Sequence, residues 1–254
     1  MRYDGIIFDW AGTVVDYGCF APVKAFEEAF GAFGIQPTLE EIRKPMGMLK
    51  IDHIRTMFSM NRIAGLWKEK YGRDWNDEDV LAVYRMSEKK ILEVLEQYTT
   101  LKPYVKETVE TLRGMGLKIG STTGYTDEMM AVVTRCAKEQ GYAPDCWFSP
   151  DSTGQMGRPY PYMAFKNMET LKLKDVSRVM KVGDTVSDIL EGKNAGMTAV
   201  GIIQGSSAMG LSMEEYKALP EDEKERLCDK AAQAYLNAGA DHVIMDIRGV
   251  LDLI

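Results

Sequence analysis

The spacing of apolar and polar positions changes rhythm twice along the chain. Ile6-Ile7-Phe8 is a continuous apolar run, as a parallel strand buried on both faces requires. It ends on Asp9, and Gly12 then allows a sharp exit. From Pro22 to Phe33 the period becomes helical, with Val23, Phe26, Ala29, Phe30 and Phe33 on one face and Gly34 closing it. Thr38-Leu39-Glu40-Glu41 opens a second helix with acids in its first turn. Pro45 interrupts, and from Ile54 to about Tyr98 the helical period returns, broken by the polar run from Gly72 to Asp77. No strand pattern occurs between Cys19 and Tyr98. A helical block of that length after a single strand predicts an inserted cap over 19–98, with the core formed by 1–18 and 99–254.

Beyond Tyr104 strands and helices alternate. Strands are predicted at Leu117–Ser121, Trp147-Phe148, Val179–Asp184, Thr198–Ile203 and Asp241–Met245. Helices are predicted at Val105–Met115, Thr126–Gln140, Pro159–Leu171, from Asp184 through Ala195, Met213–Leu236 with a break at Pro220, and Ile247–Ile254. This alternation predicts an α/β fold, a doubly wound parallel sheet with right-handed crossovers.

Composition narrows the chemistry. The net charge of −7 comes without a basic cluster, which argues against nucleic acid as a partner. No apolar run is long enough to span a bilayer and the N-terminus enters a strand directly, so no membrane association is expected. Cys19, Cys136, Cys146 and Cys228 form no Cys-x-x-Cys pair, which predicts reduced thiols and a cytoplasmic setting. Two histidines, His53 and His242, are too few for a multi-histidine metal site.

Several acids stand where strands end. Asp9 is one, at the edge where open α/β sheets place their sites. Asp184 is another, and Asp188 lies one helical turn later on the same side. Two carboxylates so spaced suit a hard oxygen-seeking cation such as Mg²⁺, or else a helix cap with a solvated neighbour. Asp9-x-x-Gly12-Thr13 after an apolar strand resembles the first motif of the haloacid dehalogenase-like hydrolases, and Gly183-Asp184 through Asp188 resembles their fourth. The resemblance implies that Asp9, the backbone carbonyl of Ala11 and Asp184 hold Mg²⁺, with Asp188 acting directly or through water. It also implies that Thr122 or Thr123 and Arg158, where the family usually carries Lys, bind phosphoryl oxygens. Asp9 would then attack phosphorus and form a phospho-aspartate.

The chain departs from most phosphatases of that group at Ala11, where they carry a second Asp that protonates the leaving alcohol. A carbon leaving group needs an electron sink instead, and a lysine amine condensed with a neighbouring aldehyde supplies one. Lys50, expected in a restrictive apolar loop after Met46-Gly47-Met48-Leu49, is the candidate. These segments, with Asp16-Tyr17-Gly18-Cys19-Phe20, Gly120–Tyr125 and Gly157–Pro161, are similar to the phosphonoacetaldehyde hydrolase (phosphonatase) family from Tyr3 to about Gly210. That family implies phosphonoacetaldehyde as substrate, a Schiff base on Lys50 and a homodimer formed through the caps. It places Met46, Gly47, Cys19, His53 and Tyr125 near the substrate, with His53 as a candidate proton relay. Two other readings stay open. One is a phosphatase or phosphomutase on small phosphate esters; the other is a non-catalytic sensor of phosphorylated ligands.

Overall fold

The computed structural model describes residues 2–254. Six parallel strands, β1 (Gly5–Phe8), β2 (Lys118–Thr122), β3 (Cys146–Phe148), β4 (Val179–Gly183), β5 (Thr198–Ile202) and β6 (His242–Ile244), lie in the order β3-β2-β1-β4-β5-β6. β1 is central because its residues are apolar on both faces, and Ile6, Ile7 and Phe8 are wholly buried. The chain order reverses beside it, so the crevice outside the strand ends opens there. Phe8 is in register with Ser121 of β2 and Val182 of β4. This register brings Asp9, Thr122 and Gly183 to one level at the carboxyl edge.

Between β1 and β2 the chain is helical: α1 (Phe20–Ala32), α2 (Leu39–Arg43), α3 (Lys50–Phe58), α4 (Asn61–Tyr71) and α5 (Asp77–Val94), ending in a 3₁₀ turn at Leu95–Tyr98. These helices build an apolar centre of their own, in which Phe26, Phe30, Ile54, Phe58, Trp67 and Val83 pack together. The base of the block shares the sheet's core instead, since Ala21, Ala25, Ile91 and Leu95 pack with Phe8 and Ile119. Asp16 starts α1 by accepting hydrogen bonds from the Phe20 and Ala21 amides, each at 2.9 Å. Thr38 and Glu41 form a reciprocal capping pair at α2, and Asn76 and Asp79 do the same at α5.

The crossover helices are α6 (Val105–Gly114), α7 (Asp127–Glu139), α8 (Tyr162–Leu171) and α9 (Val186–Ala195), and α10 (Met213–Ala218) and α11 (Glu221–Asn237) follow β5. Pro220 separates the last two, as the sequence predicts.

Three local expectations are corrected. The helical period from Ile54 does not run unbroken to Tyr71: α3 stops at Phe58, where the Ser59 hydroxyl bonds back to the Arg55 carbonyl at 2.9 Å. The segment after Asp246 is a 3₁₀ coil, Ile247–Leu253, in place of an α-helix. Gly249 within it lies so close to Ile244 that an added Cβ would sit 2.8 Å from that side chain. Lys50 is not in a loop but is the first residue of α3.

Candidate active site

The strand ends and the cap helices enclose a cavity of about 30 Å³, lined by Asp9, Ala11, Cys19, Pro22, Met46, Gly47, Lys50, Thr123, Gly124, Tyr125, Arg158 and Thr185. Ordinary ligand pockets are larger, about 300 Å³ or more, so ligand entry here requires cap and core to separate. The closing contact is tight. Gly47 has φ +86° and lies so near Thr185 that a Cβ would be 2.3 Å from its Oγ1. Arg43 of α2 ties the cap down beside it, donating from Nη1 to the Gly18 carbonyl at 2.9 Å and the Ser207 carbonyl at 3.1 Å.

The core side is a dense array of paired charges. Asp9 follows β1, and its amide donates to Val182 O at 2.9 Å. Arg158 spreads its guanidinium over three carboxylates. Nη2 donates to Asp9 Oδ1 at 2.5 Å, Nη1 lies 3.0 Å from Asp188 Oδ1, and Nε donates to Glu191 Oε2 at 3.2 Å. Nη2 also reaches the Thr122 carbonyl at 2.8 Å. Burial works against the Arg158 charge, but Asp188, Asp9 and Glu191 outweigh it and raise its pKa. Lys181 adds a second buried cation, donating from Nζ to Asp188 Oδ1 at 2.5 Å. Burial alone would raise the Asp188 carboxyl, yet Arg158 and Lys181 hold it below its ordinary value.

Asp184 is less well compensated. Thr13 Oγ1 donates to its Oδ1 at 3.2 Å and the Ser207 amide to its Oδ2 at 2.7 Å. Burial, with the negative charges of Asp9 and Asp188, pushes its carboxyl well above the ordinary range. Asp9, Asp184 and Asp188 each offer an oxygen within 4.8 Å of the others. Three buried carboxylates converging with charge left uncompensated on Asp184 are a donor set that fits a hard divalent cation. Gly12 (φ +82°) permits this packing, because a Cβ there would lie 2.1 Å from Asp184 Oδ2.

The cap side is apolar. Lys50 is buried, with Nζ 5.0 Å from the Tyr125 ring centre and 5.6 Å from that of Phe26. Burial pulls its pKa down to about 8. Of the anions that oppose this, Cys19 comes first and Asp9 second, but the Cys19 thiol is itself driven well above its ordinary range by burial. Near neutral pH Cys19 therefore carries no charge to support the ammonium. The position at the start of α3, where Leu49 provides no side-chain cap, further disfavours a cation.

The other predicted residues divide. Thr123 lines the cavity, while Thr122 turns inward and donates from Oγ1 to Glu191 at 2.8 Å. Met46, Gly47, Cys19 and Tyr125 line it. His53 does not. It is wholly buried one turn behind Lys50, stacked on Phe26 at 4.0 Å, and neither ring nitrogen has a well-formed hydrogen bond. Burial and the Lys50 charge lower its pKa far below the usual range, so the ring is neutral.

Residues to which the sequence assigned no site role complete the site: Lys181 and Glu191 among the charges around Arg158, Thr185 and Pro22 in the lining, and Thr13 and Ser207 on Asp184. Lys181 did carry a signal, as a lone charge inside the apolar strand Val179-Met180-Lys181-Val182. Glu191, one turn after Asp188, shares its helix face. Ser207 carried none.

A family model for haloacid dehalogenase-like hydrolases matches residues 3–196. A phosphonoacetaldehyde hydrolase from Lysinibacillus sphaericus is 49% identical over 254 residues, all of this chain and 94% of that protein. A bifunctional phosphonoacetaldehyde hydrolase/aminoethylphosphonate transaminase from Clostridioides difficile is 48% identical over 253 residues, and there the match covers 100% of this chain but 40% of the longer protein. The crystal structure of a phosphonoacetaldehyde hydrolase-like protein from Oleispira antarctica superposes with a TM-score of 0.96 at 38% identity, covering 100% of this chain and 91% of that one. The chain belongs to the haloacid dehalogenase-like hydrolases and, within them, to the phosphonoacetaldehyde hydrolase family.

Proposed function

We propose that this chain hydrolyses the carbon–phosphorus bond of phosphonoacetaldehyde to acetaldehyde and phosphate, through a Schiff base on Lys50 and a phospho-aspartate on Asp9. The observation that carries this reading is that a desolvated lysine amine and the strand-end aspartate line one small cavity, together with Ala11. Among the described residues Asp9 is the one carboxylate in that lining, so nothing replaces the acid that an alcohol leaving group needs. This weighs against the phosphatase reading. The names of the relatives from L. sphaericus and C. difficile support the same substrate.

In this reading the neutral Lys50 amine adds to the aldehyde carbon and expels water, giving a protonated imine. Asp9 attacks phosphorus in line. The carbon–phosphorus bonding pair moves into the carbon chain, neutralises the iminium nitrogen and leaves an enamine. Protonation of the enamine carbon and hydrolysis of the imine release acetaldehyde and free Lys50. A second water hydrolyses the phospho-aspartate, so the net reaction consumes one water. Arg158, fixed by Asp188 and Glu191, presents Nη2 beside the attacking carboxylate, where it neutralises phosphoryl charge. Thr123, at the cavity wall, is the hydroxyl we assign to a phosphoryl oxygen, while Thr122 braces Arg158. Mg²⁺ held by Asp9, the Ala11 carbonyl and Asp184, with Asp188 behind them, would supply further positive charge for the phosphoryl oxygens. Met46, Gly47, Cys19 and Tyr125 exclude water from the imine. For His53, neutral and off the cavity, the role that fits is packing beneath Lys50 in place of a proton relay.

We extend the proposal to a homodimer through the caps, supported by the family resemblance and by the exposed Leu39, Tyr71 and Leu81 on cap helices. A cytoplasmic setting is supported by four free cysteines. Among the described residues no helix is long and apolar enough to cross a membrane.

The test is borohydride trapping. Acetaldehyde plus borohydride is expected to inactivate the enzyme and leave a two-carbon adduct on Lys50, located by peptide mass spectrometry. Inactivation with no adduct at Lys50, or phosphate release without acetaldehyde, would return the phosphatase reading to first place.

A further inference from the structure

A larger cavity, about 370 Å³, is lined in part by the segment that follows β1 and shares no lining residue with the catalytic one. It is within the ordinary size range for a small-molecule site, ~300–1,000 Å³. Its walls come from the loops after β1 and β5, from Lys102–Tyr104, and from α10 and the 3₁₀ coil after β6. Tyr104, Met213 and Ile247 give it an apolar side.

The charged side is unusual for this chain. Lys102, Lys217 and Arg248 converge on the cavity, and Asp246 is the single acid there. Asp246 is taken up by Arg248, whose Nη2 lies 2.6 Å from its Oδ2. Two cations remain in a protein whose net charge is −7. Lys102 is buried, and its Nζ donates to the Gly12 carbonyl and, at 2.7 Å, to the Gln204 carbonyl. An ammonium has three donors, so one is left over. Lys102 and Lys217 make no ion pair among the described residues. Tyr17 adds an enclosed hydroxyl near the Gln204 side chain that has no well-formed hydrogen bond. A buried cation with a spare donor and an unsatisfied hydroxyl are costly unless something completes them.

We propose that this cavity binds a small carboxylate with an apolar body, independently of the catalytic site. The donor count selects the head group. One Lys102 N–H and the Tyr17 hydroxyl can serve the two oxygens of a carboxylate, with the exposed Lys217 closing over it from the rim. A phosphate dianion would need more fixed donors than the buried end of the cavity supplies. The apolar wall of Tyr104, Met213 and Ile247 favours a ligand with an apolar or aromatic body over acetate.

The probe is benzoate, titrated calorimetrically into the full chain, with benzamide as the neutral isostere. Saturable one-to-one binding of benzoate is expected, weakened at least about tenfold in both Lys217→Glu and Tyr17→Phe. The affinity should be unchanged in Lys50→Arg, which alters the catalytic cavity alone. Benzamide should bind at least about tenfold more weakly. The proposal is overturned by the absence of saturable binding, by equal binding of benzamide, or by loss of binding in Lys50→Arg with retention in Lys217→Glu. The last result would locate benzoate in the catalytic cavity.

Discussion

The two walls of the catalytic cavity handle charge in opposite ways. On the core wall, buried ions are paired almost atom for atom, Arg158 with Asp9, Asp188 and Glu191, and Lys181 with Asp188. On the cap wall, Lys50 is buried against Phe26 and Tyr125 and makes no ion pair among the described residues. The Tyr125 hydroxyl and both His53 nitrogens likewise lack well-formed hydrogen bonds. Pairing keeps a carboxylate and a guanidinium charged and in place, which suits phosphoryl transfer. Desolvation without pairing makes an amine easier to deprotonate, which suits attack on an aldehyde. One cavity thus sets a charge-paired carboxylate beside an amine that gives up its proton more readily than a free lysine, because their surroundings differ.

If the walls act separately, each should fail separately. Asp9→Asn is expected to lose at least about 10⁴-fold in turnover, yet still be trapped at Lys50 by acetaldehyde and borohydride. Lys50→Arg should lose as much while still binding inorganic phosphate, since the guanidinium keeps the charge but cannot form an imine. A Lys50→Arg enzyme that turns over phosphonoacetaldehyde, or an Asp9→Asn protein that no longer traps acetaldehyde, would break the division.

Asp184→Ala sharpens the core side. Removing the least compensated carboxylate should weaken the apparent Mg²⁺ affinity by about 100-fold and be partly rescued by high Mg²⁺. An unchanged Mg²⁺ titration would take Asp184 out of the metal site.

Gly47→Ala tests the seam between the walls. Its Cβ would collide with Thr185 Oγ1, and the positive φ adds strain, so the cap should seat badly. A fall of up to about 10²-fold in kcat/KM is expected, with borohydride trapping slowed and phosphate affinity less affected. Full activity would mean that the reactive state is not closed in this way.

The smallest effect is a pH profile. The neutral amine is the reactive form of Lys50, and burial lowers its pKa to about 8. kcat/KM should therefore rise with pH and level off above about 8. A profile that is flat from roughly pH 6 to 9 would leave the amine without the role given to it.

Much of this was legible in the sequence. Apolar period and turn residues predicted the alternation of strands and helices, because burial on one or two faces repeats every few residues. Strand-end acids pointed to Asp9 and Asp184, which the fold brings together with Asp188, and the alanine at position 11 is the departure from the phosphatase motif on which the proposed reaction rests. Lys50 was singled out by chemistry, from the need for an electron sink. Some features are not local, and only the fold decided them. Lys50 proved to be a helix start because Leu49 turns the chain there, and its depressed pKa depends on Phe26 and Tyr125, 24 positions before and 75 after it. Glu191 became a support of Arg158, and Lys181 the partner of Asp188 and Glu191, because β4 and α9 pack together. His53 is placed near the substrate by resemblance, and its stacking on Phe26 within the cap is likewise set by the fold. Sequence spacing determines which residues share a face of one element. Which faces meet, and therefore which charges are paired and which are merely dried, is set by the packing of elements far apart in the chain.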